Sequence, residues 1–595
     1  YLNTVYFGQG AYGIEAAART YFSEPASALS LTQGTMLAGL IASPSRFDPV
    51  YNAKAALSRR NLVLGRMRSL RMIDQPTYSK GTRAKLGLRV TEAVRFPAPY
   101  FIDYVKRWFL NNPMFGATFD ARYNSLFEGG LRIYTTVDLS LQREAESAVS
   151  SILSYRSDPY GAMTVIDPRT GAIRAMVGGR DWFSRKDPYA KLNLATGGAT
   201  GRQAGSAFKP FALVTALEEG IQPSRVYAAP SSIALALPAG YSPPVWDVHN
   251  YDGASSGALT IEQATIDSVN TVYAQLIMDI GSDNVVRTAH QMGITSHLRA
   301  YPSAVLGSNE VNTVEMASAY GTLATLGKRA DPMAVSKITD AQGKVLYQAA
   351  PQPQQVIQPA VAWATNQILE KVVQEGTGTA ANIGRPEGGK TGTAQQWTNA
   401  WFVGYIPQLV AAVWVGFPKG QIPMVAPATR LPHVLGGTWP AQIWHAFMVN
   451  ATRNMAMQDF PFPDVEYVSV RVDITQSCVA NQYTLPKDIR LVRYLSGTEP
   501  ANICTVPAGP QEIPLPSVVG LPERAAVSTL RSYGFPVTVL IQRSDAAPRG
   551  IVVSESPAAG TMQLQGTPIT VIVARGPPGP SPSPSADPTP SPSPS

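Results

Sequence analysis

The apolar spacing of this 595-residue chain changes character three times, and that alternation limits its fold more than any other feature. Over the first 110 residues or so the spacing is helical: Gly10–Phe22 is Ala-rich with a period near 3.6, and Leu29–Ile41 follows with Ser30 as N-cap and Pro44 as terminator. A basic amphipathic helix is expected from Ala53 to about Leu70. Leu131–Val137 then alternates like a strand, and Met163–Asp167, a turn at Pro168–Gly171 and Ala172–Gly179 read as a hairpin. Helical patterns return near 206–219, 259–280 and 312–327, before strands resume from Trp401 to Phe417. Strands that bracket a helical block and rejoin one sheet predict an α+β domain of about 300 residues. From Ile513 a compact α+β unit of about 65 residues is expected, with a helix over 522–533 and strands at Val537–Ile541 and Ile569–Val573. The Pro/Ser tail, 577–595, cannot bury a core and is expected to be extended and disordered.

Composition narrows the possibilities. With 45% hydrophobic and 15% charged residues the chain suits globular domains with cores. The longest apolar runs, such as 410–417, fall short of the ~20 residues a membrane-spanning helix needs. Two cysteines exclude a disulfide-dense scaffold, and five histidines without HxxH or HExxH spacing argue against a zinc site. Residues 1–130 hold 16 Lys+Arg against 8 Asp+Glu, so the whole net charge of +8 sits in the first segment. Such a patch suits anionic lipid, nucleic acid or a phosphorylated substrate, or is a solvated helix face. The chain starts with Tyr1 in what reads as mid-domain sequence, so a fragment is expected.

Three short motifs carry chemistry. Ser206 opens a helical pattern with Lys209 one turn on, on the same face. A serine hydroxyl needs a nearby base to become a nucleophile, and a desolvated lysine can serve. Ser268 and Asn270 form an SxN pair 62 positions after Ser206. Lys390, Thr391, Gly392 and Thr393 form a Gly-flanked strand whose lysine and hydroxyls could bind a carboxylate. Each motif alone is weak; the ordered trio is specific.

The trio resembles the SxxK, SxN and KTG signature of penicillin-binding protein transpeptidases. The likeness extends to Thr164–Ile173, Gly307–Val311, Glu315–Tyr320 and Asn399–Tyr405. Tyr1–Asn3, Gly8–Ala18, Tyr21–Phe22 and Leu37–Leu40 with Pro44 resemble the end of a family 51 peptidoglycan glycosyltransferase domain. Pro516–Gly520, Ala525–Ala526, Leu530, Gly534, Ser556–Gly560 and Val571–Val573 resemble a PASTA module. Together these imply a class A penicillin-binding protein of actinobacterial type. The implied division is 1–110 glycosyltransferase remnant (helical, lysozyme-like), 111–160 linker, 161–455 transpeptidase, 456–512 linker with the cysteine pair, 513–576 PASTA and 577–595 tail.

The resemblance implies that Ser206 is the nucleophile and Lys209 its base. Ser268, aided by Lys390, passes a proton to the departing D-Ala; Asn270 holds the acyl-side amide; Thr391, Gly392 and Thr393 help hold the terminal carboxylate. Partners would be peptidoglycan stem peptides and β-lactams, with lipid II for the intact parent and muropeptide contact through PASTA; nucleic acid is not expected. No cofactor or metal is implied. The setting would be the extracytoplasmic face of the membrane, with an anchor helix upstream. The acidic residues for glycan transfer would lie before residue 1, and Asn3 and Glu15 are read as structural. A D,D-carboxypeptidase or other hydrolase on the same site, or a non-catalytic penicillin-binding sensor, are the alternatives. In a family working outside the cytoplasm, Cys478 and Cys504 are expected to form a disulfide, against two separate buried thiols.

Overall fold

The computed structural model describes residues 1–575 except positions 10, 45, 91–94, 185, 199, 239, 477, 482–483, 505–511 and 545–546. The Pro/Ser tail therefore lies outside the described residues. The centre of the molecule is one antiparallel sheet of five strands: β1 (Tyr160–Asp167), β2 (Ala172–Val177), β3 (Gly388–Thr393), β4 (Asn399–Ile406) and β5 (Leu409–Gly416), in the order β3-β4-β5-β1-β2. Strands from both ends of the domain thus meet at the β5–β1 seam, where Val413 faces Met163.

The continuous apolar run of β5 reflects burial on both faces. Along β4, Ala400 and Phe402 join a core with helices α1 (Leu139–Ile152) and α6 (Trp439–Thr452), through Val149, Trp444 and Phe447. The alternate residues Trp401, Val403 and Tyr405 join the opposite core with α2 (Lys209–Glu218), α3 (Asn270–Ile280), α4 (Thr313–Ala324) and α5 (Pro359–Gln374). Large rings here keep their polar atoms satisfied: Trp401 Nε1 donates to Gln203 O (2.8 Å), Trp414 Nε1 to Asn399 Oδ1 (2.9 Å) and Tyr405 OH to Asn366 Oδ1 (2.7 Å).

The N-terminal segment is helical, with its own core of Phe7, Tyr21, Phe22, Met36, Leu37 and Leu40. Ser30 and Gln33 form a reciprocal capping box at the start of Leu31–Leu40. The first helix begins at Ile14 rather than Gly10, because Gly13 at φ 81° leaves the helical region. Glu15 accepts the Ala26 N–H (2.7 Å) and pairs with Arg19, a local structural role. The helix Pro99–Asn111 places Phe101 and Phe109 in the main core instead. Residues 467–495 form a small sheet from Tyr467–Asp473, Cys478–Val479 and Ile489–Leu495, and a Cys478–Cys504 disulfide closes it, with Cα atoms 5.0 Å apart. The last unit packs the helix Glu523–Ser532 on three strands, Ile569–Ala574 lying parallel to Val537–Gln542 and antiparallel to Val552–Ser556. Among the described residues no helix is long and apolar enough to cross a membrane.

Candidate active site

The three motifs converge at the free edge of β3. Ser206 sits in a 3-10 turn, Gly205–Phe208, that runs directly into α2. Tyr320, from α4, donates to Ala207 O (2.7 Å) and fastens that turn. Glycine makes the close approach of turn and strand possible. A Cβ on Gly205 (φ 56°) would stand 2.6 Å from Thr393 C and O, and one on Gly392 would stand 2.9 Å from Ala207 Cβ. Gly307 fills the same need from behind: its carbonyl accepts the Gly205 N–H (3.3 Å), an approach that leaves no room for a side chain.

The SxN motif falls between two helical stretches of the block expected over 259–280, as its sequence suggests. The helix stops at Ile266 and restarts at Asn270, because Ser268 adopts a left-handed φ of 60°. For a non-glycine residue that conformation costs about 1 kcal/mol. It turns both oxygens of Ser268 toward the lysines. Lys209 Nζ donates to Ser268 O (2.6 Å), to Asn270 Oδ1 (2.8 Å) and, at longer range, to Ser268 Oγ (3.3 Å). Lys390 Nζ approaches the same hydroxyl at 2.9 Å, with Thr391 O and Oγ1 at 3.3 and 3.4 Å. Ser268 Oγ thus joins the two ammonium groups. Ser206 is half-buried, and its hydroxyl has no hydrogen-bond partner among the described residues.

Both lysines have no exposed surface. Burial pushes Lys390 down to about 7, and burial together with the Lys390 charge holds Lys209 well below the ordinary lysine range. Two ammonium charges this close and this dry are not both retained near neutrality, and Lys209 is the one more strongly driven to the free amine. A neutral amine has two hydrogens and one lone pair. Ser268 O and Asn270 Oδ1, the two short contacts, are acceptors that take both hydrogens, so the lone pair is left to receive a proton from a hydroxyl.

Supporting residues were invisible in the motifs. Asn250 Oδ1 accepts the N–H groups of Asn270 and Thr271 (3.1 Å each), capping α3 from a distant loop. Asn270 Nδ2 donates to His249 O (2.9 Å), so one hydrogen of its amide is held and one is left over. Tyr273 places its ring 5.2 Å from Lys209 Nζ, one turn along α3 from Asn270, a helical spacing that could have flagged it. Thr393 Oγ1 accepts from Gly436 N (3.1 Å), leaving its own hydrogen to donate, and Thr391 is buried beside it.

A hydroxyl at a helix start, an adjacent amine base, a second relay hydroxyl and a strand edge with spare N–H groups define a serine acyltransferase-type site. Comparison with known proteins agrees. Residues 161–421 match the penicillin binding protein transpeptidase domain, 1–68 the transglycosylase domain and 513–575 the PASTA domain. Penicillin-binding protein 2D of Bacillus subtilis is 32% identical, across 85% of this chain and 70% of that protein. Penicillin-binding protein 1A of Mycobacterium tuberculosis is 33% identical over 78% of this chain and 57% of its own length. The PonA1 structure from M. tuberculosis in complex with penicillin V superimposes with a TM-score of 0.53 at 31% identity, covering 62% of this chain and 96% of that one. The chain belongs to the class A penicillin-binding proteins, with a transglycosylase segment, a transpeptidase domain and a PASTA domain.

Proposed function

We propose that this chain is a peptidoglycan D,D-transpeptidase that cross-links stem peptides through an acyl-serine intermediate. The observation that carries the reading is the Lys209–Ser268–Lys390 array, its two lysines fully buried and closed around one hydroxyl, with Lys209 one turn along from Ser206. Ser206 Oγ attacks the carbonyl of the penultimate D-Ala, and its proton passes to the Lys209 lone pair. The C–N bond breaks, and Ser268, held by Lys390, delivers its proton to the departing D-Ala nitrogen and is reprotonated from Lys209. The N–H groups of Ser206 and Thr393 stabilise the oxyanion, where one donor contributes ~3 kcal/mol. Asn270 keeps a spare hydrogen for the acyl-side amide, and Lys390, Thr391 and Thr393 receive the terminal carboxylate at the Gly392 edge. An acceptor amine from a neighbouring stem then attacks the acyl carbon, the ester C–O bond breaks, and the proton the amine loses returns through Lys209 to Ser206 Oγ.

β-Lactams would enter the same site and acylate Ser206. Work of this kind belongs on the extracytoplasmic face of the membrane. The PASTA unit is assigned muropeptide contact. Glycan polymerisation from lipid II is not assigned to the chain; glycan made by the purified chain would overturn that.

The test uses a D-Ala-D-Ala stem-peptide donor with and without an added acceptor amine. Amide product formed at the expense of the hydrolysed peptide supports transpeptidation. Hydrolysis alone would make the chain a carboxypeptidase, and no turnover with retained penicillin labelling would make it a sensor.

A further inference from the structure

The KTG strand has a neighbour that the motifs do not include. Residues 377–379 repeat its Thr-Gly-Thr order just beyond α5. Thr377 Oγ1 lies 2.7 Å from Thr391 Oγ1. The Thr377 N–H donates to Ile266 O (3.3 Å), two residues before the left-handed Ser268. Its carbonyl packs against the Gly436–Gly437 loop, where a Cβ on Gly437 would stand 2.6 Å from Thr377 O and one on Gly436 2.7 Å from Gly392 N and O. One residue therefore touches the segment entering Ser268, the KTG strand and the loop crossing that strand. Thr377 is exposed whereas Thr391 is buried, so the pair leads from the protein surface into the site.

We infer that Thr377 is a positioning residue for the ligand's terminal carboxylate, acting through the Thr391 hydroxyl that it orients. The inference rests on the transpeptidase reading above. Two hydroxyls at 2.7 Å share one hydrogen between them. Thr391 Oγ1 also has Lys390 Nζ at 3.4 Å, a group that only donates while it is charged. With Lys390 and Thr377 both directed at its lone pairs, the Thr391 hydrogen is the one left for an anion. A carboxylate bound there accepts from Thr391, and the Thr377 hydroxyl polarises and orients that donor.

The experiment compares acylation by a penicillin and by its methyl ester, which lacks the carboxylate charge, in the wild-type chain, Thr377→Val and Thr377→Ser. Thr377→Val should lower the acylation efficiency of the free acid by about 10-fold, because the Thr391 hydrogen bond to the charged group is no longer held in place, and leave the ester within about 2-fold. Thr377→Ser should restore the free-acid rate, because it keeps the hydroxyl. Equal losses on acid and ester would make Thr377 a merely structural residue, and no loss on either would remove it from the site; both outcomes overturn the inference. Ser206→Ala separates this from the reading beneath it: label that persists in Ser206→Ala displaces the nucleophile, while the acid-to-ester ratio still reports on Thr377.

Discussion

Gly205→Ala tests how far the site depends on the contact between turn and strand. The new Cβ would stand 2.6 Å from Thr393 C and O. A carbon–oxygen contact relaxes only beyond about 3.3 Å, so the turn carrying Ser206 and the edge of β3 must part by about 0.7 Å. The backbone also stays at φ 56°, a left-handed conformation that costs alanine about 1 kcal/mol. Overpacking adds about 1–3 kcal/mol, so thermal unfolding should move down by roughly 4–12 °C. The chemical effect is larger, because the two N–H groups assigned to the oxyanion sit on the two parts being separated. A misplacement approaching 1 Å lowers rates by about 100-fold. Stopped-flow acylation with a fluorescent penicillin, run beside a melting curve, measures both. Gly343→Ala is the control: its φ is 87° but nothing lies within 4 Å, so it carries the handedness penalty without the clash. Wild-type acylation in Gly205→Ala, with a melting shift no larger than that of Gly343→Ala, would refute the reasoning.

Other outcomes follow from the same geometry. Lys209→Arg keeps the charge but cannot become a free base near neutrality, so acylation should drop by at least about 100-fold, whereas Lys390→Arg should weaken donor capture more than acylation; equal small losses would contradict the division of roles. Lys390 releases its proton at about 7 when folded and near 10.5 when unfolded. Between those values the unfolded chain binds more protons, so wild-type stability should climb with pH over that window relative to Lys390→Met, and parallel melting profiles would contradict it. Replacing Cys478 and Cys504 by alanine opens a loop of about 25 residues and should destabilise the 467–504 sheet by about 3 kcal/mol; two free, alkylatable thiols in the native protein would remove the premise.

Much of this architecture is legible in the residues, and what is not has local causes. The α+β domain shows in the sequence because β4 and β5 are buried on both faces and therefore write long apolar runs. The edge position of β3 follows from Gly389 and Gly392. That Ser268 and Asn270 lie between two helical stretches shows in the sequence, but the left-handed φ of Ser268 does not, since serine rarely adopts it. Asn250 and Thr377 are hidden for a different reason: each acts across a tertiary contact, 20 and 14 residues away along the chain from the partners it holds. The sheet around Cys478 is read as a connection in the sequence although Tyr467–Asp473 alternates Val468, Val470 and Val472 with Ser469 and Arg471; its partner Ile489–Leu495 does not alternate and leaves Leu491 exposed.

The central claim is that Ser206, served by an amine whose lone pair is freed by Ser268 and Asn270, is the residue acylated. The most direct measurement is peptide mapping by mass spectrometry after incubation with a penicillin. After tryptic digestion one adduct is expected, on the peptide that begins at Gln203, with the modification on Ser206 and lost in Ser206→Ala. An adduct on Ser268 or any other residue, or a wild-type chain left unmodified, would contradict it.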